Sequence, residues 1–369
     1  MKILEIITSL SSGGGERFVT DLSNELSKHS GCDIELLTIK DDTISEMAFY
    51  KEEVCENVKY GCLGVLKYTL RTPFLVLKAI RKRKPDVVHI HLNGTFNMVI
   101  PALFLYRRPV YVQTLHGRAD KQFASKPDYW LKKLIYSLSL VKLITISSDN
   151  DKSFRTVYHA SSDRMILNGR GKMKTLDLIK VKQEVDSYKL NEDTLVLIHV
   201  ARLHSEKNQP LLIQGVNKII EQGANVILLI IGTGYDTEKG KELQTMACSR
   251  VHFLGLKTNV GDYLKCADAF VLSSLNEAMP ISLIEALACR CIPLSTPVSG
   301  SIDIIQNGKN GFISKDFSLD SFVEMLNDFI TNHSQINRET LHNYFQDNLS
   351  IQTCANKYLS FFYEHFNHP

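Results

Sequence analysis

The stretch KILEIITSLSSGGGE, residues 2–16, joins a short apolar run to three consecutive glycines. The apolar run favours a buried β-strand, and glycine permits the tight turn that leads from a strand into a helix. The run is too short for a signal peptide and carries Glu5. We therefore expect the chain to open with a strand, a glycine-rich turn and a helix, and to stay inside the cell.

The same β-loop-α pattern continues along the chain. In the first half, the sequence predicts strands at 2–7, 33–38, 87–91, 110–115 and 143–146, with helices at 16–28 and 65–83. In the second half, it predicts strands at 195–200, 226–231, 251–253, 269–272 and 292–295, with helices at 209–222, 238–248, 260–266 and 281–289. Nearly continuous apolar strands that alternate with helices are typical of parallel sheets covered on both faces.

The chain is too long for one ordinary core, since it has 369 residues. The strand pattern restarts after the polar segment 175–193, which we interpret as a linker. We predict an α/β protein with two Rossmann-like β/α/β domains, residues 1–180 and 181–350, which face each other across a cleft. The remaining segment, 351–369, has the pattern of an amphipathic helix.

Composition and charge exclude several classes of protein. The eight cysteines are scattered without a C-x-x-C pair, which favours reduced thiols over a disulfide framework or a zinc site. No apolar stretch reaches the length of a membrane span. The net charge is +3, but residues 57–119 contain eleven Lys and Arg against one acid, Asp86. This asymmetry suggests an anionic partner for the first half of the chain.

The most informative motif of the second half is NEAMPISLIEAL, residues 276–287, which follows a predicted strand and enters a helix. Free amides and the helix dipole at such a helix start favour an anion. Glu285 lies inside the helix, where its carboxylate can accept hydrogen bonds from a ribose diol, and Glu277 precedes the helix, where it can contact a sugar. The alternative for each glutamate is a solvated surface acid.

Two further loops follow predicted strands. The segment Val200–Asn208 contains Arg202 and Lys207, which can pair with a diphosphate, although two loop cations are also often only solvated. The glycines at 13–15 can let the backbone approach a phosphate, but they form neither a complete G-x-G-x-x-G fingerprint nor a P-loop.

Three histidines follow or lie within apolar strands. His116 can hydrogen-bond a sugar hydroxyl or relay a proton, or it can merely close the strand end. His89 and His91 should share one face of a strand. They could form a metal pair, but no third ligand accompanies them in the sequence, so we favour a packing or supporting role.

Together these motifs resemble those of the family-4 retaining glycosyltransferases, which have the GT-B fold. The resemblance rests on the E-x₇-E spacing of Glu277 and Glu285 within E-x-M-P-x-x-L-I-E-A, and on the R-L-x-x-x-K-N loop at 202–208. It also includes the glycine turn at 13–16, the T-x-H-G segment at 114–117, Ser147, and L-N-G at 167–169. The order and spacing of the motifs extend over nearly the whole chain.

The resemblance implies a role for each candidate residue. The diphosphate of a nucleotide-sugar donor would be bound by Arg202 and Lys207, and its ribose by Glu285. The transferred sugar would contact Glu277, helped by backbone amides at 278–281. The segment 351–369 would form a helix that crosses back to the N-terminal, acceptor-binding domain, and residues 181–350 would bind the donor.

The predicted site residues follow from these roles. The catalytic set is Glu277, His116, Arg202 and Lys207, and the donor-binding set is Gly14, Gly15, Arg202, Lys207, Ala278, Met279, Pro280, Ile281 and Glu285. The resemblance implies retention of anomeric configuration without a metal or other cofactor, and no D-x-D motif stands at the predicted donor loop. We expect a nucleotide-diphosphate sugar as co-substrate, with a UDP-sugar favoured.

The sequence departs from the family pattern at three places. The family often has Gly where Arg290 stands and Glu where Asp303 follows Gly300, and a Val/Ile-Asp pair where Arg170-Gly171 follows the L-N-G segment. These departures put the identity of the substrate in doubt more than they do the activity.

The predicted function is therefore that of a hexosyltransferase, which transfers a hexose or N-acetylhexosamine to a hydroxyl of a glycan acceptor. We expect this acceptor to be lipid-linked and the reaction to serve the assembly of bacterial surface polysaccharide. The basic segment 65–84 is either a solvated helix face or a surface for an anionic membrane, which would place the enzyme at the inner face of the cell membrane. The alternatives are a sugar-nucleotide epimerase or hydrolase of GT-B fold and a catalytically silent partner subunit. Residues 185–369 contain 14 Lys and Arg against 20 Asp and Glu. This acidic balance and the lack of a nucleic-acid-binding module argue against a nucleic-acid partner.

Overall fold

A computed structural model describes residues 1–11 and 13–367 of the chain, which form two compact units. The N-terminal unit comprises residues 1–171 and 348–369, and the C-terminal unit comprises residues 172–347. In the described residues, no helix combines the length and the apolar character that a bilayer crossing requires.

The N-terminal unit is built on a parallel sheet of seven strands in the order β3-β2-β1-β4-β5-β6-β7. The strands are β1 (Lys2–Ile7), β2 (Asp33–Lys40), β3 (Lys59–Val65), β4 (Val87–His91), β5 (Val110–Leu115), β6 (Lys142–Thr145) and β7 (Arg164–Met165). The crossover helices are α1 (Gly14–Leu26), α2 (Thr72–Arg83), α3 (Asn93–Leu105), α4 (Lys126–Ser137) and α5 (Ser148–Tyr158). Strand β1 lies between β2 and β4, so the direction of winding reverses beside it.

The C-terminal unit repeats this plan with six parallel strands in the order β10-β9-β8-β11-β12-β13. The strands are β8 (Leu195–Val200), β9 (Val226–Ile231), β10 (Val251–Gly255), β11 (Ala269–Leu272), β12 (Ile292–Ser295) and β13 (Phe312–Ile313). The helices are α6 (Leu178–Tyr188), α7 (Gln209–Glu221), α8 (Glu238–Thr245), α9 (Val260–Cys266), α10 (Ile281–Ala288), α11 (Ser299–Ile304), α12 (Leu319–Asn332) and α13 (Arg338–Tyr344). Strand β8 takes the place that β1 has in the first sheet.

The last helix, α14 (Ile351–Asn367), belongs to the N-terminal unit. It buries Tyr358, Phe361 and Phe362 against α1 and one face of the first sheet, while α2, α3 and α4 cover the other face. A Cβ atom on Gly169 would come within 2.6 Å of Cys354 Cβ, so only glycine lets the chain pass this close to the start of α14. Within the predicted segment 351–369, residues 368 and 369 lie outside the described residues.

Two expectations about local structure are wrong. The segment 175–193 is not a linker, because α6 occupies its centre and buries Val181 and Val185. These residues lie four apart, which gives an otherwise polar segment one buried stripe. The helix predicted at 65–83 is shorter than expected. Val65 is the last residue of β3, and the helix starts only at Thr72.

Two departures from the family pattern have structural explanations. Arg170 is buried and pairs with Asp21 at 2.6 Å, and its backbone bonds both Leu349 and Ile351 next to α14. Arg290 follows α10 with φ of 63°, in the left-handed region that glycine adopts without strain. The backbone geometry at this position therefore favours glycine by itself.

The strain at Arg290 is testable. Because a side chain in the left-handed region costs about 1 kcal/mol, Arg290→Gly should raise the free energy of unfolding by roughly that amount. Arg290 also forms an exposed ion pair with Glu339, so Glu339→Gln serves as the control that removes the pair alone. Urea unfolding measures the stability of both variants. If Arg290→Gly were no more stable than Glu339→Gln, the backbone at Arg290 would not be strained.

Candidate active site

The candidate residues of the C-terminal unit lie at the carboxyl end of its central strands. Strand β8 pairs with β9 on one side and β11 on the other, so the winding reverses between β8 and β11. Open α/β sheets bind ligands at such a reversal, beyond the carboxyl ends of the strands. Arg202 and Lys207 follow β8, and Glu277 follows β11.

Lys207 and Glu277 are in direct contact although 70 residues separate them. Lys207 Nζ lies 2.5 Å from Glu277 Oε1, and the hydroxyl of Ser274 donates to the same oxygen at 2.9 Å. Their side chains are 27% and 14% exposed. The pair is thus oriented by the protein but remains open to a ligand.

The loop that carries Arg202 is held by the neighbouring loop after β9. A Cβ on Gly232 would lie 2.0 Å from the carbonyl oxygen of Ala201, so the two loops touch backbone to backbone. The hydroxyl of Tyr235 donates to that carbonyl at 3.0 Å, and Gln209 Nε2 donates to the carbonyl of Arg202 at 3.0 Å. The Arg202 side chain itself is exposed.

The loop that carries Glu277 is held by Gly300, whose role here the sequence prediction missed. A Cβ on Gly300 would lie 2.6 Å from both the carbonyl oxygen of Ala278 and Cα of Met279. The hydroxyl of Thr296 also donates to the carbonyl of Ser274 at 2.5 Å. A glycine shortly after a buried strand was the available signal, but the sequence does not show which backbone it approaches.

The start of α10 differs slightly from the expectation. Pro280 is its N-cap residue with extended backbone, and Ile281, not Pro280, is the first helical residue. Met279 and Pro280 are buried, while Ala278 and Ile281 are half-buried. Glu285 lies half-buried within the helix.

The candidate residues of the N-terminal unit lie at the corresponding edge of its sheet. Strands β1, β4 and β5 are neighbours, and they lead into the glycine turn, into Leu92 and into His116. Gly14 and Gly15 are the first two residues of α1. A Cβ on Gly15 would meet the Leu92 side chain at 3.1 Å and the His116 ring at 4.0 Å. Leu92 has φ of 67°, an unusual conformation for a bulky residue, of the kind found at functional sites.

Beneath His116 lies a buried polar cluster that the sequence prediction missed. Glu5 Oε2 lies 2.6 Å from His91 Nε2 and 2.8 Å from His89 Nδ1, although only the His91 contact has hydrogen-bond geometry. All three side chains are 0% exposed. His91 Nδ1 then lies 3.1 Å from His116 Nε2.

This cluster corrects one expectation and confirms another. His89 and His91 do share one face of β4, since both contact the same carboxylate oxygen. A third candidate ligand does accompany them: Glu5, His89 and His91 offer ligand atoms within 4.8 Å of one another. The expectation that no third ligand is present is therefore wrong. The nitrogen–oxygen distances of 2.6 and 2.8 Å are those of direct polar contacts, shorter than ligands about 2 Å from a shared ion would normally adopt.

Burial sets the protonation of the cluster. Burial by itself raises the pKa of Glu5, but the attraction of His89 and the hydrogen bond from His91 outweigh it and lower the pKa to about 2. Burial lowers the pKa of His91 to about 4 and, together with His91, lowers the pKa of His116 well below its usual range. At neutral pH, Glu5 is therefore charged and these two histidines are neutral.

The sequence matches two family models that together cover most of the chain. Residues 12–169 match "Glycosyltransferase Family 4", and residues 180–347 match "Glycosyl transferases group 1". The matched regions fall into the two units described above, one in each.

Individual relatives are distant but match over most of their length. The UDP-Gal:α-D-GlcNAc-diphosphoundecaprenol α-1,3-galactosyltransferase of Escherichia coli is 25% identical over 82% of this chain and 78% of its own. The capsular polysaccharide biosynthesis glycosyltransferase CapM of Staphylococcus aureus is 25% identical over 81% of each. The crystal structure of Anabaena HepE in complex with UDP and glucose superposes with a TM-score of 0.80 at 17% identity, over 99% of this chain and 100% of that one. This similarity confirms the predicted GT-B fold.

The contact between Gly300 and the Glu277 loop leads to a prediction. Gly300→Ala should lower the free energy of unfolding by about 1–3 kcal/mol, since the added methyl group would displace the backbone at Ala278 and Met279. Gly171→Ala is the matched control, because nothing lies within 4 Å of its Cβ position. Chemical denaturation measures both variants, and equal stability would show that the loop is not held at Gly300.

Proposed function

The chain belongs to the group 1, family 4 glycosyltransferases, and we propose that it transfers a hexose or N-acetylhexosamine from a nucleotide-diphosphate sugar, with retention of configuration, to a hydroxyl of a glycan acceptor. The observation that carries the proposal is the contact of Lys207 with Glu277 at the point where the second sheet reverses its winding. The C-terminal unit is the proposed donor domain, and the N-terminal unit is the proposed acceptor domain.

The charges of the C-terminal unit suit a diphosphate. Arg202 offers an exposed guanidinium on the same loop as Lys207, and the start of α10 points its helix dipole at an anion. Together they would stabilise the negative charge that develops on the departing nucleotide diphosphate, a task that other enzymes give to a metal ion. Glu277 holds the Lys207 ammonium before the donor arrives, so the cation need not be ordered during the reaction.

Transfer with retention requires attack from the face that the leaving group vacates, or a covalent intermediate on the protein. We propose the first route. The departing phosphate takes the proton of the acceptor hydroxyl as the new bond forms. In this route Glu277 contacts the transferred sugar and holds Lys207, and Ser274 holds the Glu277 carboxylate by its hydrogen bond. Glu285 binds the ribose.

A UDP-sugar is the favoured donor. The E. coli relative is named for a UDP-galactose donor, and HepE was solved with UDP and glucose. A glycan acceptor carried on a lipid diphosphate is favoured by the same relative, whose name specifies a GlcNAc-diphosphoundecaprenol substrate. The name of CapM refers to capsular polysaccharide, which supports a role in surface polysaccharide assembly.

One face of the N-terminal unit suits an anionic membrane surface. Around α2, the residues Leu66, Leu70 and Phe74 are 69%, 93% and 59% exposed. Exposed lysines at 67, 78 and 82 lie among them. Apolar side chains flanked by cations match the boundary between acyl chains and anionic headgroups. We therefore propose peripheral binding at the cytoplasmic face of the membrane.

This surface continues onto the helices that cover the same sheet face. The exposed residues Phe104 and Leu105 end α3, and Trp130 lies on α4 with 62% exposure. A nearby cavity of about 310 Å³ is lined by Arg107, Arg108, Lys142 and His365 among apolar residues. Its basic lining and apolar walls would suit a lipid headgroup.

A donor-only reaction distinguishes the rival functions. A sugar-nucleotide epimerase or hydrolase would convert the donor without any acceptor, and a silent subunit would leave it intact in every mixture. Product analysis with and without a lipid-linked glycan therefore separates all three.

The donor site can be tested by ligand-induced stabilisation and turnover. UDP should raise the thermal midpoint more than GDP or ADP does, because a ligand of the native state alone stabilises it. Lys207→Ala should weaken this shift and reduce kcat by roughly thirtyfold to several hundredfold, since one preorganised donor is worth about 2–4 kcal/mol of barrier.

The control for Lys207→Ala is Lys218→Ala, which removes a lysine that pairs with Asp320 on the surface of the same unit. It should leave both the shift and the turnover unchanged. Normal turnover and nucleotide affinity in Lys207→Ala would refute the proposed role of Lys207.

Membrane binding can be tested by flotation with vesicles that contain anionic lipid. The triple variant Lys67→Glu, Lys78→Glu, Lys82→Glu should bind on the order of a hundredfold more weakly, since each lysine near the surface contributes about 1 kcal/mol. The control reverses three exposed lysines of the other unit, at 239, 241 and 309. Equal flotation with neutral and anionic vesicles would argue against the surface.

A further inference from the structure

A chain of polar contacts runs through the core of the N-terminal unit to His116. Glu5 lies in the middle of β1, between β2 and β4, with 0% of its side chain exposed. From it the contacts pass to His91 at 2.6 Å and then to His116 at 3.1 Å. A buried charge in a central strand is costly unless other groups depend on it or pair with it.

The donor and acceptor properties of these groups fix the direction of every hydrogen bond. An ionised carboxylate can only accept, so Nε2 of His91 must carry a proton. A neutral imidazole has one donor and one acceptor, so Nδ1 of His91 must accept from Nε2 of His116. Nε2 of His116 therefore carries the proton of that ring, and its Nδ1 is bare.

We propose that Glu5 and His91 are positioning residues that hold His116 in the tautomer with an unprotonated Nδ1, so that His116 accepts a hydrogen bond from a substrate hydroxyl. This inference rests on the proposed function. It adds that the group recognised by His116 is a hydroxyl, and not a phosphate or carbonyl oxygen, which would need a donor.

The surroundings of His116 support this assignment. No described residue hydrogen-bonds Nδ1 of His116. The ring is half-buried at the end of β5 and packs edge-on against Phe18 of α1, with centroids 5.7 Å apart. Packing therefore fixes the plane of the ring, and the contact with His91 selects which nitrogen bears the proton. The low pKa of His91 and His116, caused by burial, keeps both rings neutral at pH 7.

The other histidine of the cluster, His89, makes contacts that do not involve a hydrogen bond to His116. His89 Nε2 lies 2.8 Å from the Thr114 hydroxyl, which lies 3.0 Å from the Tyr358 hydroxyl of α14. Its position next to Glu5 helps to compensate the buried charge. Among the residues that the structure describes, only His91 connects the carboxylate to His116 by hydrogen bonds.

Two substitutions of His91 separate orientation from simple packing. In His91→Gln, the amide reaches the place of Nε2 and can still donate to Glu5, but nothing accepts from His116. In His91→Asn, the amide lies at the place of Nδ1 and can accept from His116, but Glu5 loses its donor. A purely structural role predicts that His91→Asn is the more damaged variant in every respect, because it leaves a buried charge unpaired.

The proposal predicts opposite rankings for stability and for turnover. His91→Asn should be the less stable variant, and His91→Gln should have the lower kcat, reduced about tenfold or more, with the KM for the donor little changed. His252→Gln, a histidine-to-glutamine change on the edge strand β10 of the other unit, should leave kcat unchanged. Equal kcat in the two His91 variants, or a lower kcat in His91→Asn, would overturn the proposal.

The tautomer can also be measured without any substrate. In ¹⁵N-histidine NMR spectra of the full chain, assigned with His116→Gln, the wild-type His116 should show a protonated Nε2 and a bare Nδ1. His91→Gln should shift His116 toward a mixture of tautomers, and His91→Asn should not. A wild-type His116 protonated at Nδ1 would overturn the inference, whereas absence of transferase activity with a normal tautomer pattern would overturn only the proposed function.

Discussion

The parallel arrangement of the strands is the constraint on which the rest of the structure depends. Every strand pairing described above is parallel, so each strand must be followed by a crossover, and all loops that follow strands emerge at the same edge of their sheet. In both sheets the first strand pairs with its successor on one side and with the fourth strand of that sheet on the other. The loops after these two strands are pushed apart by crossovers that go to opposite faces, which leaves space at the edge. The candidate site residues of each unit lie in or next to the loops around this space.

The two units use this edge differently. In the C-terminal unit, the edge carries charges that solvent can reach: an exposed Arg202 and the partly exposed pair of Lys207 with Glu277. In the N-terminal unit, the edge carries glycines and a neutral histidine, and the charge lies beneath them on Glu5. The first arrangement suits an anionic ligand, and the second suits uncharged hydroxyl groups.

The sequence predicts the regular parts of the fold well because buried parallel strands need apolar runs. The strands at 2–7, 87–91, 110–115 and 195–200 have the predicted bounds. Helix α6 was not predicted because only two buried residues reveal it within a polar segment. Short strands such as β7 and β13, two residues each, carry too little pattern to detect.

The candidate site residues that lie in loops after predicted strands could be predicted from the sequence. The residues whose role depends on contacts between strands could not. The motifs place Lys207 and Glu277 each in a loop after a predicted strand, and the structure shows that these strands, β8 and β11, are neighbours and that the two side chains are in contact. Glu5 gave no such signal, since an acid in an apolar strand looks like an irregularity and its partner His91 is 86 residues away. Gly300 likewise shows its reason only when the backbone beside it is known.

The carboxylates of Glu277, in the loop after β11, and of Glu5, within β1, show how burial decides what a charge can do. Glu277 is partly exposed and holds a lysine that is itself 27% exposed. A ligand can therefore enter this pair and exchange partners with it, as a binding site requires. Glu5 is fully buried, so no ligand can take its place beside His91 and its hydrogen bond is permanent. Because the Glu5 carboxylate always accepts, the neutral ring of His91 must donate to it and accept from His116. Under the proposed roles, a carboxylate thus contacts a ligand directly in the C-terminal unit, whereas in the N-terminal unit it determines which nitrogen of each histidine carries a proton.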